Sequence, residues 1–444
     1  MSAQSSLPFG PIAQVDPSAP PASSTPGSEA ASSAAPRLRC AERRQMFFQT
    51  VNLDALVGED HLARLLWRLV GTLDLSAFLS PIEAREGAPG RDATDPKILV
   101  TLWCYAICDA VGSARELARL CESHDAYRWI CGGVSLNYHT LSDFRVAHSE
   151  ALEKLFSEVT TLLLRKGLAS VERCAQDGTR VRASAGTSSF RREPSLNKCR
   201  EAAREQLEQA KKLAEDPGLS AAQKKAQARA ALEREARIEE ALKELPKVRE
   251  IKKSVEKKEQ ARVSTTDPEA RVMKMANGGF SPAYNVQLAT TTQGGVIVGV
   301  DVTNVGSDAE QMKPMLEQIE ERTGQRPKEM LVDGGYDSLD VLDEAAGKGT
   351  KTYKPPRTPK NGVPISYEPH PGDTEAIAEW RARMGTEEAK EIYKERASTA
   401  EYVNAALKER QGLKLRVRGL KKVLAVVLWH ALAYNLTRWI ALTS

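Results

Sequence analysis

The stretch "LVDGGYDS", residues 331–338, places a carboxylate directly after an apolar run and follows it with two glycines. Asp-Gly and Gly-Gly pairs often end a strand, so a plain strand-to-turn signal is one interpretation. That interpretation holds unless the fold brings other acidic residues beside Asp333. The stretch therefore predicts a buried strand that ends at Asp333, and the rest of the sequence decides what the carboxylate does.

Composition sets broad bounds on the protein. The chain has 444 residues, 41% of them hydrophobic and 27% charged, which is enough for two or three packed domains. The net charge is only +4, so a nucleic-acid partner has to be inferred from where the basic residues lie. The seven cysteines are odd in number and contain no C-x-x-C pair, which favours reduced thiols in a cytoplasmic protein.

The two ends of the chain differ in character. Residues 1–39 are rich in Ser, Ala and Pro and lack the features of a signal peptide, so we predict a disordered tail. The stretch "VLAVVLWHALAYNLTRWIAL", residues 423–442, approaches the length of a membrane span. It contains Asn435 and Arg438, which are costly in lipid, so we expect a buried closing helix and no membrane partner.

Residues 40–167 predict an all-helical N-terminal domain that binds DNA. Short helices are expected at 113–123 and near 125–131, and one long helix from Thr140 to about Gly167. This succession is compatible with a helix-turn-helix that has Arg145 near its groove-facing end. An ordinary helical bundle is an equally valid interpretation.

After Gly167 the helical periodicity gives way to alternating apolar and polar residues, which predict a strand that ends at Asp177. Residues 191–262 then read as an inserted helical hairpin whose second helix starts at Ser220, in capping-box spacing with Gln223. The expected packing stripe of the hairpin consists of Leu232, Ile238, Leu242 and Leu245.

Strands and helices alternate in the sequence after the insertion. A β-hairpin is predicted at 283–304, a helix at 308–323, the Asp333 strand, a helix at 338–347, a short strand at "TKTYKPP", and helices over 377–442. With the insertion left out, this order is the one expected of an RNase H-like α/β catalytic domain over residues 168–444. The fold class is therefore α+β multidomain, and its first and fourth strands would bring Asp177 beside Asp333.

A resemblance becomes specific in the C-terminal helices. Tyr393, Arg396, Glu401 and Lys408 are spaced Y-x2-R-x4-E-x6-K, which resembles the signature around the catalytic glutamate of DDE transposases from bacterial insertion sequences. That signature has three residues between Arg and Glu, where this chain has four. "AQDGTRVRASA" and "LVDGGYDS" are similar to the two aspartate segments of the family. "DPKILVTLWCYA" and "HTLSDFR" are similar to its InsH-like N-terminal domain, so the resemblance covers about residues 40–442.

The resemblance implies that Asp177, Asp333 and Glu401 form the catalytic triad. Three carboxylates brought together repel one another, so a stable site needs divalent cations, and oxygen ligands suit Mg²⁺ or Mn²⁺. We expect two Mg²⁺ ions, with Mn²⁺ as a possible substitute, in a site that both cuts and joins DNA. The resemblance further implies that Tyr393, Arg396 and Lys408 position phosphates or the terminal base.

A basic run follows Glu401. Between Lys408 and Lys422 there are seven basic residues and one acidic residue, which predicts a surface that tracks phosphates. The DNA-binding candidates are Lys408, Arg410, Lys414, Arg416 and Arg418, together with Arg145 and the signature residues. A solvated helix end is the alternative interpretation of the run.

Other residues carry secondary expectations. Trp380 lies between Asp333 and Glu401 and is a candidate for holding an extruded base, although a core tryptophan is the simpler interpretation. Asp308 and Asp337 are each expected to cap the helix that follows them.

The function predicted from the sequence is that of an insertion-sequence transposase. It would act in the bacterial cytoplasm, nucleoid-associated when bound, as a homodimer on double-stranded DNA that carries the terminal inverted repeats and the target. An RNase H-like nuclease without joining activity and a non-catalytic domesticated DNA-binding protein are the alternatives.

Overall fold

The computed structural model of the chain describes residues 46, 50–84, 92–213, 218–252, 254–357 and 365–444. The predicted disordered tail, residues 1–39, lies outside the described residues. Helices come first in the described part, and the first strand begins at Ser170. Residues 51–444 make up one compact unit, and the domain boundary proposed after residue 167 stays a prediction.

Among the described residues, seven α-helices precede the first strand. They span Leu62–Val70 (α1), Ser76–Leu79 (α2), Pro96–Cys108 (α3), Ala114–Ser123 (α4), Asp125–Cys131 (α5), Tyr138–Ala147 (α6) and Ser149–Arg165 (α7). Five of them start at a residue whose side chain caps the helix; Asp95, for example, accepts a hydrogen bond from the amide of Lys97 at the start of α3. α3 is buried along most of its length because α1, α5 and α6 pack around it.

The long helix predicted from Thr140 is instead two helices. Asn137, not Thr140, caps α6, because its side chain accepts the amide of Thr140 at 2.9 Å. The backbone leaves the helical region at His148 (φ −108°, ψ 45°), where α6 ends and α7 begins. The predicted single helix was therefore wrong at both its start and its continuity.

The strands form one main sheet and a small ribbon. They span Ser170–Arg182 (β1), Phe190–Arg191 (β2), Val263–Ser264 (β3), Arg271–Lys274 (β4), Phe280–Gln293 (β5), Ile297–Thr303 (β6), Glu329–Leu331 (β7) and Lys351–Tyr353 (β8). In the main sheet β5 pairs with β1 along one edge and with β4 and β6 along the other. The other edge of β1 pairs with β7, which in turn pairs with β8. β1, β7 and β8 are parallel and β5 is antiparallel to its neighbours, which confirms the RNase H-like order.

Two strand predictions need comment. The hairpin expected at 283–304 is β5 and β6, joined at Gly294 and Gly295, whose positive φ values of 85° and 62° suit glycine. β1 does not end at Asp177, because β5 stays paired with it as far as Arg182. Asp177 therefore lies within a strand and not at its end.

The insertion is a helical hairpin, as predicted. Its helices span Glu193–Leu213 (α8), Ala221–Glu250 (α9) and Val255–Glu259 (α10), and Ser220 and Gln223 form the expected capping box. The base of the hairpin has its own core, made of Leu196, Ala241, Leu245, Val248, Ala261 and Val263, with Leu242 against it. Leu232, however, is 54% exposed, because this part of α9 extends beyond that core.

The remaining helices flank the sheet. They span Met312–Thr323 (α11), Leu339–Gly347 (α12), Glu375–Met384 (α13), Glu387–Arg396 (α14), Tyr402–Ala405 (α15) and Leu420–Thr443 (α16). Two π-helical segments, Ala397–Glu401 and Ala406–Arg410, flank α15.

α16 is the closing helix that the sequence predicted. It is long and apolar enough to cross a membrane by composition, but 78% of its most apolar window is buried in the protein. α16 packs on α3, α7 and β6. The amide of Asn435 exchanges two hydrogen bonds with the backbone of Ile297, and Arg438 donates to the carbonyl of Gly294. The polar groups that would be costly in lipid are thus satisfied inside the fold.

Candidate active site

Asp177 lies in β1, and Asp333 follows the end of the adjacent parallel strand β7 by two residues, because β7 ends at Leu331 and not at Asp333 as predicted. Ala175 of β1 pairs with Leu331 of β7, and each aspartate follows its strand residue by two positions. Side chains two residues apart along an extended chain point to the same face. The charge of Asp333 accordingly contributes to the raised pKa of Asp177, so the two predicted acids are neighbours although 156 positions separate them.

Arg396 links Glu401 to Asp177. The Nη2 of Arg396 donates to the Oδ1 of Asp177 at 2.9 Å, and its Nη1 donates to the Oε1 of Glu401 at 2.6 Å. The Arg396 side chain is only 10% exposed. A buried guanidinium therefore bridges the first and third predicted acids.

The π-helical segment Ala397–Glu401 explains the unusual spacing of the signature. In an α-helix, Arg396 and Glu401 would face different directions, since five residues correspond to about 500° of rotation. The i→i+5 hydrogen bonds of a π-helix enclose one residue more than those of an α-helix. The fourth residue between Arg396 and Glu401 is absorbed there, and the two side chains meet.

Asn404 is a site residue that the sequence analysis missed. Its Nδ2 donates to the Oδ2 of Asp177 at 2.8 Å, so both carboxylate oxygens of Asp177 have partners. Asn404 is buried, and its Oδ1 has no hydrogen-bond partner. Its position three residues after Glu401 was the available signal, because residues three apart share a helix face.

The electrostatics of the site are dominated by burial. Burial raises the pKa of Asp177, the positive charge of Arg396 lowers it, and Asp333 raises it again, which leaves the pKa above its ordinary value. Burial lowers the pKa of Arg396, but Asp177 and the neighbouring acids more than offset this effect. Burial also raises the pKa of the adjacent Tyr393. The guanidinium thus stays charged among the carboxylates.

Asp308 is not the helix cap that was predicted. α11 begins four residues later, and the buried carboxylate of Asp308 instead accepts hydrogen bonds from Asn285 and Gln287, both at 2.7 Å. Its other oxygen accepts from Arg180 at 2.8 Å. A Cβ added at Gly178, next to Asp177, would overlap the Asp308 carboxylate. Asp308 therefore supports the strand that carries Asp177.

The basic run after Glu401 lies on the surface. Lys408, Arg410, Lys414, Arg416 and Arg418 are all exposed. From Leu413 onward buried apolar residues alternate with exposed basic ones, as expected of an extended segment. Desolvation lowers the pKa of Lys408, while the charge of the nearby Asp177 raises it in part, so Lys408 lies close enough to Asp177 for the two charges to interact.

Arg145 does not face solvent, contrary to the helix-turn-helix expectation. It is 8% exposed, its Nη1 donates to the carbonyl of Gly112 at 2.8 Å, and its guanidinium lies 4.7 Å from the ring centre of Trp103. Burial lowers its pKa to about 10, and the charge of Arg416 adds to the effect. Arg145 is therefore a core residue in this arrangement and not a groove-facing contact.

Burial confirms the simpler interpretation of Trp380, and capping corrects the expectation for Asp337. Trp380 is a core residue, because it is buried and its Nε1 donates to the carbonyl of Lys354 at 3.2 Å. Its indole is thus not available to hold an extruded base. Asp337 does not cap α12, since the side chain of Ser338 accepts from Val341 in that role.

The donor chemistry of the site fits a hard divalent cation. In the described part of the chain, no three His, Cys, Asp or Glu side chains converge closely enough to hold a metal ion, and Arg396 stands between Asp177 and Glu401. The available donors are carboxylate oxygens and the unpartnered Oδ1 of Asn404, which are the ligands that Mg²⁺ prefers. A cation held by the Oδ1 of Asp177 and the Oε1 of Glu401 would take the place of Arg396.

Comparison with known proteins gave two family matches. Residues 253–436 match the family described as "Transposase DDE domain", and residues 51–147 match the family described as "Transposase domain (DUF772)". The first match contains Asp333 and Glu401, and Asp177 lies before its start. No curated protein and no solved structure matched the chain.

Proposed function

Because the chain belongs to the DDE transposases of insertion sequences, we propose that it cuts DNA at the ends of its element and joins those ends to a target. The observation that carries this proposal is that Arg396 bonds to both Asp177 and Glu401, while Asp333 lies just after the adjacent strand. DNA is the substrate class that the family implies.

DDE transposases use divalent metal ions. We assign two Mg²⁺ ions, for which Mn²⁺ would substitute, to Asp177, Asp333 and Glu401. When bound, such ions activate an attacking water or 3′-hydroxyl and stabilise the departing oxygen of the scissile phosphate. The triad would hold them, and Asn404 would orient Asp177 through its hydrogen bond.

Arg396 has a second part in this scheme. Its guanidinium now donates to one oxygen of each of two carboxylates, and the two free oxygens of a DNA phosphate could accept both hydrogen bonds. We propose that Arg396 leaves the carboxylates for the scissile phosphate when DNA binds. Tyr393 and Lys408, which lie beside the acids, would hold the neighbouring phosphates or the terminal base.

The bond changes follow from phosphoryl transfer. In nicking, a water oxygen bonds to phosphorus, the P–O3′ bond breaks, and the departing 3′-oxygen gains a proton. In joining, that 3′-hydroxyl attacks a target phosphorus, and the target's own 3′-oxygen leaves. One arrangement of Asp177, Asp333 and Glu401 would serve both steps because each replaces one phosphodiester oxygen by another.

The DNA would be double-stranded and would include the terminal inverted repeats and the target. The exposed residues Lys408, Arg410, Lys414, Arg416 and Arg418 would track its phosphates, and the helices over residues 51–147 would contribute to end binding. Two ends must be joined together, so we propose a homodimer on DNA. The protein would work in the cytoplasm, associated with the nucleoid when bound.

The test is Mg²⁺-dependent nicking and joining of a duplex that carries the element end. Asp177→Asn, Asp333→Asn and Glu401→Gln are each expected to abolish both reactions while duplex binding survives. Asp337→Asn and Glu409→Gln are matched controls, because each removes an exposed carboxylate close in sequence to a triad member. Full activity of the Glu401 variant would remove that residue from the proposed site.

The same assay separates the alternatives. Metal-dependent nicking without strand transfer on paired ends would identify a nuclease that cuts but does not join. Duplex binding by the intact protein with no cutting at all would identify a non-catalytic DNA-binding protein.

A further inference from the structure

A groove of about 1010 Å³ runs between the helical insertion and the β4–β5 hairpin. One wall is the end of α9 and the residues just after it, with Val248 and Lys252, and the opposite wall is β4 with the first residue of β5. Gly178, the residue after Asp177, also lines the groove, as does Lys408. The groove therefore begins beside the candidate active site and leads away from it along the insertion.

The groove is positively charged. Its described lining contains six basic residues and no acidic one: Arg180, Lys252, Arg262, Arg271, Lys274 and Lys408. Arg180 pairs with Asp308, and Arg271 pairs with Glu244. The other four form no ion pair with the residues that the structure describes. Such a lining favours a polyanion.

An aromatic side chain projects into this charged groove. Phe280 is 67% exposed, although large apolar side chains are usually buried. It pairs with Lys274 across the β4–β5 register, so the two side chains lie on the same face of the hairpin. Val272, two residues before Lys274, is exposed on that face as well. An exposed aromatic beside unpaired cations is the combination that binds unstacked bases and their phosphates.

The insertion wall of the groove is fixed firmly to the sheet. Glu244 of α9 is buried and bonded to Arg271 of β4, and Arg249 pairs with Glu193 across the base of the hairpin at 2.7 Å. The base also has its own apolar core. The groove is therefore a preformed site, which lowers the ordering cost of binding.

We propose that this groove binds a single strand of the DNA that leaves the catalytic site. Lys252, Arg262 and Lys274 would contact its phosphates, and Phe280 would stack on one of its bases. The inference rests on the proposed function, because that function supplies the cut strand. It gives the insertion, residues 191–262, a role as one wall of a strand-binding channel.

Stacking on Phe280 is what favours a single strand over a duplex. The faces of bases in a duplex are covered by their neighbours, so an exposed ring would gain little from them. In a single strand every base has a free face, and stacking on an aromatic side chain contributes strongly to affinity. A duplex held only by the lysines and arginines is the competing outcome.

The first experiment measures the salt dependence of binding to a fluorescein-labelled oligodeoxythymidylate of about 12 nucleotides. The variant Lys252→Gln/Lys274→Gln removes two proposed phosphate contacts. The slope of log affinity against log salt should fall in magnitude by about 1.4, since each single-strand phosphate contact contributes about 0.7. The matched control is Lys212→Gln/Lys225→Gln, which removes two exposed charges at the far end of the insertion, roughly 35 Å away along α9.

The second experiment tests the stacking contact. Phe280→Ala should weaken strand binding between about fivefold and about 150-fold, the range expected for loss of one stacked base. Phe280→Leu should behave like Phe280→Ala, because leucine keeps apolar bulk but has no aromatic face, whereas Phe280→Trp should bind as well as the intact protein. Thermal unfolding checks that each variant is folded.

The outcomes distinguish the groove from the proposed function. Equal losses in the groove and far-end variants, or equal losses for strand and blunt duplex, would overturn the single-strand proposal. Unchanged strand affinity in every groove variant would do the same, even if the protein nicks DNA normally. If strand binding depends on the groove but the protein never nicks DNA, the strand-binding proposal would be supported and the proposed catalytic function would be refuted.

Discussion

The π-helical segment Ala397–Glu401 predicts opposite effects on activity for the deletion and the insertion of one residue. Removing one residue from it, Ala397, should convert the turn to an ordinary α-turn. Arg396 and the glutamate would then be four residues apart, which places them within about 40° of each other on an α-helix. The bridge between Arg396 and Glu401 should therefore survive the deletion, and so should activity.

Adding one residue has the opposite effect. The π-helical turn already accommodates one extra residue. If it cannot accommodate a second, an alanine inserted after Ala397 rotates Glu401 by about 100° around the helix axis. With the carboxylate about 5 Å from the helix axis, this rotation moves it by about 8 Å. The 2.6 Å contact with Arg396 is then lost. Misplacement by 1 Å can cost about 10²-fold in rate, so nicking should fall by at least that factor.

The assay is single-turnover nicking of the end-containing duplex by the deletion variant, the insertion variant and the intact protein. Duplex affinity and thermal unfolding would be measured alongside, to separate loss of catalysis from loss of fold. If both variants are folded and both are inactive, the π-segment does not serve to align Arg396 with Glu401. Equal activity of the insertion variant would contradict the assignment of Glu401.

Three further predictions concern single side chains. Arg396→Gln should raise Mn²⁺ affinity in the absence of DNA by about fivefold or more, because one charge contact is worth at least about 1 kcal/mol; unchanged affinity in calorimetry would refute it. Burial raises the pKa of Asp177 above 3.8, so the ionised carboxylate destabilises the folded protein above that pH. Asp177→Asn should therefore raise the melting temperature at pH 7 but not below pH 3.8. A lower melting temperature at pH 7 would contradict this prediction. Trp380→Ala should cost about 3–5 kcal/mol of stability and leave the DNA affinity of the folded protein unchanged, as titration at low temperature would test.

The central geometry of the fold was accessible from the sequence. The order of strands and helices predicted that β1 and β7 would be neighbours, and hence that Asp177 would meet Asp333. This works because strand order in such a sheet follows from the succession of elements and needs no knowledge of side-chain packing. The capping box at Ser220 was equally local and equally predictable.

The failures share a different cause. Whether Arg145 faces solvent depends on Trp103 and on the C-terminal part of the chain, which no local pattern reveals. Asp308 precedes a helix, as a capping residue would, but its partners Asn285 and Gln287 lie on β5. The π-segment depends on hydrogen-bond register, which residue type alone does not specify. Tertiary contacts decided each of these cases.

The packing of α16 also has a consequence for the timing of folding. α16 packs on α3 and α7 as well as on β6, so the N-terminal helices cannot complete their core until Leu420–Thr443 has been made. At about 5–20 residues per second, a ribosome needs roughly 14 to 56 s to travel from the end of α7 to the end of α16. Throughout that interval the emerging chain exposes apolar surface that it cannot yet cover. A nascent chain should therefore depend on chaperones and stay inactive until its synthesis is nearly finished.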